Sequence, residues 1–475
     1  MMVYVLQASG FLFPLITYPY ITRTLGSANL GTIGFASSVS SYFAAVATFG
    51  MFSYAVRTCS RLRGDRAALQ RTAMELLTAN SVTTLLAVIL FAGAVMAVPG
   101  FRAIWPYLLL SGVIFATDFL GVSWFYTAME QFDYITLRTI SFKCLSLLLI
   151  FILIRNASDS LLYAGILAFS AVGTNLLNFL YARKLLGAPI RLTRGFSCHY
   201  AATGWFFIQS VSLTIFSNMD VTMMGFVSTA EQIGNYEAAL KLKLLLTALV
   251  SSLGNVFLPR LSRQYKEQNM HDYWNTAHKS LRYACFLSLP IIALLWICGD
   301  EMILLFCGAE YVYAGTILKL LGAAIFFIGV STVSGTQLLL SMGKQKQMLL
   351  SLAVGCLLNF VMNLWLIPLY QGAGAAFSTV CAELFVVLVQ LLCLWRMQVR
   401  LPLLDAVKKP LCGVGLSTAC VLLLQRFTSL SLFWSLAVTG LVFAAVYIGV
   451  LWVIREPILC EMMEFILRKG NHERK

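Results

Sequence analysis

Residues Ala168–Leu176 read AFSAVGTNL, and 208 positions further on Ala376–Leu384 read AFSTVCAEL. Each stretch lies in an apolar run long enough to cross a bilayer. A second pair repeats at an offset of 203: LGTIGFA at Leu30–Ala36 and IGNYEAA at Ile233–Ala239. Two echoes at nearly one offset, each in the corresponding segment of a six-helix half, predict an internal duplication. Six crossings is an even number, so both halves enter the membrane from the same side. They are therefore expected to be parallel repeats about an axis along the membrane normal.

The apolar runs outward from these echoes fall near 2–21, 31–53, 72–98, 104–126, 139–154 and 161–182. A second series lies near 204–227, 236–258, 283–298, 316–340, 348–367 and 373–394, and two more at 411–424 and 432–454. The run at 411–424 is the shortest. A crossing helix needs roughly 20 apolar residues for a hydrocarbon core of about 30 Å. The expected fold class is thus all-α, a polytopic membrane protein of about fourteen transmembrane helices. The expected parts are an N-lobe over 1–185, a C-lobe over 200–396, two further helices within 405–454 and a tail over 455–475. Of the 475 residues, 59% are hydrophobic and only 11% charged, and the mean hydropathy is +0.82. Soluble domains are near 45–50% apolar and about 25% charged, so a soluble catalytic domain has no room here.

The net charge of +14 does not point to nucleic acid, because the basic residues alternate by side. They cluster in the loop holding Arg57, Arg61, Arg63, Arg66 and Arg71, and again around 183–194, 260–282, 344–346, 396–409 and the tail. The opposite loops hold only Arg23, Arg102, Arg155 and Arg426. This asymmetry predicts that both termini are cytoplasmic. Twelve cysteines show no CxxC spacing, and the four histidines no metal-ligand spacing, so neither a metal nor a cofactor is expected. The first run starts at Met1 and lacks a cleavage site, so it reads as a retained span. Its missing basic flank leads us to expect a natural start a few residues upstream.

Ionisable residues inside spans are costly and normally face a bundle interior or a wet cavity. Here they are Asp118, Asp220, Glu237, Lys241, Lys243, Lys319 and Glu383, with Glu75 and Lys143 near span edges. Asp118 is expected to share a helical face with Phe125, seven residues on. Salt bridges such as Asp220 with Lys241 are one reading of the group; a substrate or ion pathway is the other. Lys243 and Lys319 are expected to snorkel outward. Arg23 and Arg57 mark the ends of the first two spans, and Pro14 and Pro19 are candidate bend points in the first.

An ordered set of motifs carries a resemblance. PYITRTLGSANLGTIGFASSVSSYF (Pro19–Phe43), WFYTAME (Trp124–Glu130), FSNMDVTMMG (Phe216–Gly225) and EQIGNYEAALKL (Glu231–Leu242) come first. FLPRLSR (Phe257–Arg263) and IPLYQGAGAAFST (Ile367–Thr379) complete it. Together they resemble bacterial polysaccharide exporters, the O-antigen and capsule repeat-unit flippases, which are grouped with lipid II flippases and multidrug extruders. The resemblance implies a flippase in the bacterial cytoplasmic membrane, moving oligosaccharide on an undecaprenyl diphosphate carrier by alternating access. It also implies a polymerase or glycosyltransferase of the same pathway as partner. Arg23, Arg57 and Lys241, which look like charged positions of the family pattern, would hold the diphosphate through charge-assisted hydrogen bonds. Asp118, Asp220 and Glu383 are the candidates for ion coupling or cavity polarity.

Two other functions fit less well. A multidrug antiporter would bind organic cations, using Asp118 and Asp220, but the motifs around Arg23 and Pro368 favour the polysaccharide branch. A membrane-embedded glycosyltransferase or polymerase would need large outer loops with catalytic residues, and the outer loops here are short. No Gly-rich phosphate loop marks a nucleotide site.

Overall fold

The computed structural model describes residues 2–186, 193–427 and 430–461. Arg191 and the tail beyond Glu461, with Arg468, Lys469, Arg474 and Lys475, lie outside the described residues. The helices run α1 (Met2–Thr48), α2 (Met51–Arg61), α3 (Arg66–Ala97), α4 (Pro99–Arg102), α5 (Trp105–Ala116), α6 (Ser123–Ala128), α7 (Phe132–Leu153) and α8 (Ser160–Leu186). They continue as α9 (Cys198–Val227), α10 (Ala230–Lys266), α11 (Met270–Cys307), α12 (Val312–Ser331), α13 (Gln345–Arg396), α14 (Leu403–Phe427) and α15 (Leu432–Val453). Among the described residues there is no strand. Helices satisfy every backbone group internally, which lipid cannot do for them.

Among the described residues, eleven helical stretches are long and apolar enough to cross a membrane. Two helices, α1 with 47 residues and α13 with 52, are each long enough for two crossings. Each is divided by one backbone break and no loop: Gly26 at φ 78°, ψ 170° in α1, and Gln371 at φ 53°, ψ −131° in α13. The first needs glycine, since a positive φ strains any residue with a Cβ. The backbone stays helical past Pro14 and Pro19 and breaks at Gly26.

The fourth span is not the continuous helix that the Asp118–Phe125 spacing assumed. A 3-10 turn at Asp118–Gly121 follows α5, and Val122 takes a left-handed φ of 39° before α6. A seven-residue spacing holds its face only along an unbroken helix. Asp118 accordingly ends up exposed and Phe125 buried.

The chain packs as two compact units, Met1–Glu237 and Ala238–Lys475. In the first unit Met51, Ala55, Leu76, Trp124, Phe125 and Tyr126 form a buried cluster joining α2, α3 and α6. Asp65 opens α3, its side chain accepting from the amides of Ala67 and Ala68 at 3.0 Å. In the second unit α12 runs into a π-helical segment, Thr332–Leu339. There Gln390 of α13 donates to Ser331 (3.1 Å) and Ser351 (3.2 Å) and accepts from Ser334 (2.6 Å). The wider turn leaves room for this buried amide, which a Cβ at Gly335 would meet at 2.6 Å. The last two spans pack on α11, where Tyr447 donates to the Phe286 carbonyl at 2.8 Å. The short 411–424 run is extended at both ends by helix, giving α14 its 25 residues.

Candidate functional site

Between α1 and α2 the chain turns through Phe49 (φ 47°) and Gly50 (φ 64°). A Cβ on Gly50 would stand 2.4 Å from the backbone of Phe206 and Phe207, so glycine alone lets the bend rest on α9. Phe49 stacks on Phe207 with ring centroids 4.3 Å apart. The bend opens a cavity of about 290 Å³ lined by Thr48, Phe52, Ser53, Phe206, Gln209 and Ser210, with Gly50 and Leu213. Rings offer a surface for the apolar face of a sugar, and the hydroxyl and amide groups can bond its hydroxyls. Arg57 lies one turn beyond Ser53 on the same face of α2 and is exposed.

Arg23 does not join it in one cluster. Arg23 is exposed on α1, just before the break at Gly26. From Ser27 to Thr48 the helix rises about 33 Å at roughly 1.5 Å per residue. Arg23 and Arg57 therefore stand at opposite ends of the second span, too far apart to hold one diphosphate together. Lys241 is exposed on α10, in the second unit.

The acidic candidates have different settings. Asp118 projects from the 3-10 turn, beside Gly121, where a Cβ would lie 2.7 Å from Asn175 Oδ1 and 3.8 Å from Asp118 Oδ1. Asp220 is buried and accepts a hydrogen bond from the Tyr236 hydroxyl at 2.5 Å. Glu383 is buried within electrostatic reach of Lys243. Lys243 does not snorkel; it is 6% exposed, while Lys241, two residues away and on another helix face, points outward. Lys319 is ion-paired to Asp300 of α11.

Sequence reasoning missed three of these relationships. Tyr236 was hidden as an ordinary aromatic, and nothing in its own spacing identifies it as the partner of Asp220. Lys243 was discounted because its counter-charge is 140 positions away. Arg138 is half-buried, its guanidinium carbon 5.7 Å from the centroid of the Tyr134 ring. Its Nε and Nη1 are sealed from solvent with no acceptor among the described residues.

Known proteins share this architecture. Residues 1–265 match the family described as polysaccharide biosynthesis protein, and residues 202–448 match lipid II flippase MurJ. A protein named as an O-antigen transporter in Escherichia coli (strain K12) is 22% identical over 391 residues, covering 80% of this chain and 92% of its own. One of the same name in Shigella dysenteriae is 20% identical over 403 residues, covering 82% and 98%. Among solved structures, lipid II flippase MurJ in an inward closed conformation superposes with a TM-score of 0.67 at 16% identity, covering 94% of this chain and 99% of that one. An inward-facing multidrug resistance MATE transporter gives 0.63 at 14% identity, covering 84% and 95%. At these identities the structural likeness establishes the fold, and the family match covers more than half of the chain. The chain belongs to the polysaccharide biosynthesis protein family of exporters and flippases, and is a transporter rather than an enzyme.

Proposed function

We propose that this protein flips oligosaccharide repeat units, carried on undecaprenyl diphosphate, across the bacterial cytoplasmic membrane for surface polysaccharide synthesis. The observation that carries the reading is the family match over residues 1–265. The naming of both relatives as O-antigen transporters supports it. A sugar diphosphate cannot cross hydrocarbon unaided, because each unpartnered polar group costs several kcal/mol there. The cavity at the α1–α2 bend offers aromatic and hydroxyl partners for a sugar, with Arg57 beside it for an anion. Lobes over 1–185 and 200–396 alternate access, with the helices of 405–454 as an accessory pair and both termini cytoplasmic. Because Arg23 and Arg57 lie at opposite ends of one span, they meet the diphosphate in succession, one at each leaflet. A polymerase or glycosyltransferase then consumes the outer product.

Deleting the gene tests this. Surface polysaccharide should be lost while lipid-linked repeat units accumulate. Normal polysaccharide combined with new sensitivity to cationic dyes would overturn the proposal in favour of organic-cation export.

A further inference from the structure

A mixed cluster of side chains lies away from the cavity, where the first turn of α9 meets α3. Glu75, Cys198 and His199 bring one carboxylate oxygen, one thiol sulfur and one ring nitrogen within 4.8 Å of one another. No local spacing reveals it, because Glu75 and His199 are 124 positions apart.

Each donor is held in place by a neighbour. The two oxygens of Glu75 divide their work: Oε1 accepts from Arg71 Nε at 3.0 Å, and Oε2 faces His199 Nε2 at 3.3 Å. The other ring nitrogen of His199, Nδ1, is 3.1 Å from the Tyr54 hydroxyl. This is the outer contact that orients metal-bound histidines and fixes their tautomer. Cys198 Sγ is 3.1 Å from the Gly195 carbonyl, and a Cβ on Gly195 would approach Glu75 Oε1 to 2.8 Å. Glycine there lets the segment before α9 lie over the carboxylate. The side chains of Glu75 and His199 are 12% and 7% exposed, whereas Cys198 is exposed and leaves one side open.

We propose that Glu75, Cys198 and His199 bind a divalent transition metal of the zinc class, tying the first turn of α9 to α3. An ion at about 2.0–2.1 Å from nitrogen and oxygen and about 2.3 Å from sulfur is the usual tetrahedral arrangement. Two such bonds at a tetrahedral angle separate nitrogen from oxygen by about 3.3 Å, the spacing that His199 and Glu75 already have. A hydrogen bond also explains that spacing; the metal reading adds the Cys198 sulfur, which lies within 4.8 Å of both atoms and 3.1 Å from the Gly195 carbonyl. On binding, Cys198 releases its thiol proton to solvent and the sulfur becomes a thiolate ligand. Water takes the open fourth position. Arg71 stays on the second oxygen of Glu75, outside the coordination shell.

Cobalt(II) provides the test, because a thiolate ligand gives it an absorption band that oxygen and nitrogen ligands do not. Purified full-length protein in detergent should take up one equivalent of Co²⁺ with a thiolate charge-transfer band, which Zn²⁺ then abolishes. Cys198→Ser should lose the band, and Cys144→Ser, a change at another exposed cysteine, should keep it. Zn²⁺ should raise the melting temperature of the parent and not of Cys198→Ser, because a ligand that binds only the folded state stabilises it. If Cys198→Ser is poorly folded, Glu75→Gln serves instead, with an expected affinity loss of tenfold or more. Absence of a saturable band in the parent, or its survival in Cys198→Ser, overturns the proposal.

Discussion

Gly31 and Gly234 face each other where α1 crosses α10, and neither position has room for a methyl group. A Cβ at Gly31 would lie 1.8 Å from the Ala230 carbonyl oxygen, and one at Gly234 would lie 2.0 Å from that of Ser27. Shifting by 203 positions carries Ser27 onto Ala230 and Gly31 onto Gly234, so one contact occurs twice. Gly34 follows the same shift: a Cβ there would lie 2.9 Å from Cγ of Glu237, its own counterpart. Reciprocal contacts of this kind mark a local two-fold axis.

Alanine at either glycine must push the helices apart. Gly31→Ala and Gly234→Ala should each destabilise by about 1–3 kcal/mol or more. Gly165→Ala, where a Cβ meets nothing within 4 Å, should be neutral or slightly stabilising. Thermal unfolding in detergent checks this, and equal melting temperatures for the three variants would contradict the close crossing.

Glu383 and Lys243 are both buried in the second unit, the lysine within electrostatic reach of the carboxyl group. Removing one partner of a buried pair costs about 3–5 kcal/mol, much of it from the charge left behind. Glu383→Gln should therefore lower the melting temperature more than Glu383→Gln combined with Lys243→Met. Additive losses in a double-mutant cycle would show that the two side chains do not interact.

Arg23, Arg57 and Lys241 are exposed, so truncating them should leave the fold intact. Each alanine variant should reduce export of surface polysaccharide at unchanged abundance. Arg57→Lys should recover only part, since lysine lacks the bidentate fork. Adding Ser53→Ala and Gln209→Ala should deepen the Arg57 defect if the cavity holds the sugar. Normal export in all three alanine variants would remove these cations from the transport path.

The orientation expected from the charge asymmetry is checked by reporter fusions. Fusions after Thr229 and Tyr370 should report outside, and one after Glu267 inside. Opposite faces for Glu267 and Gln345 would contradict the parallel repeat.

The helix inventory was legible because fourteen apolar runs leave few other solutions, and the break at Gln371 lay between two of them. Gaps near 22–30 and 368–372 looked like loops, because hydropathy does not distinguish a loop from a break in a continuous helix. The break around Asp118 was hidden by apolar neighbours, so the Phe125 spacing misled. The cavity was invisible for a different reason: Thr48, Ser53, Gln209 and Ser210 come from two distant segments and only tertiary packing unites them. Charged residues could be located in sequence, but which became buried depended on partners far along the chain, as with Lys243.

Outward transfer of a lipid-linked oligosaccharide can be measured directly, and its energetics shape the measurement. Moving one charge through 100 mV is worth about 2.3 kcal/mol, so a diphosphate with two negative charges gains roughly 4–5 kcal/mol on leaving an electrically negative interior. Proteoliposomes loaded with undecaprenyl-diphosphate oligosaccharide would be scored for head groups reached by an impermeant reagent, with potassium and valinomycin setting the potential. A potential-driven flippase predicts transfer above protein-free vesicles, accelerated when the receiving side is positive. That transfer should need no pH or sodium gradient and should be retained in Asp118→Asn. A strict need for an ion gradient, lost in Asp118→Asn, would replace the potential with antiport. No transfer above protein-free vesicles under either condition would contradict the flippase assignment itself.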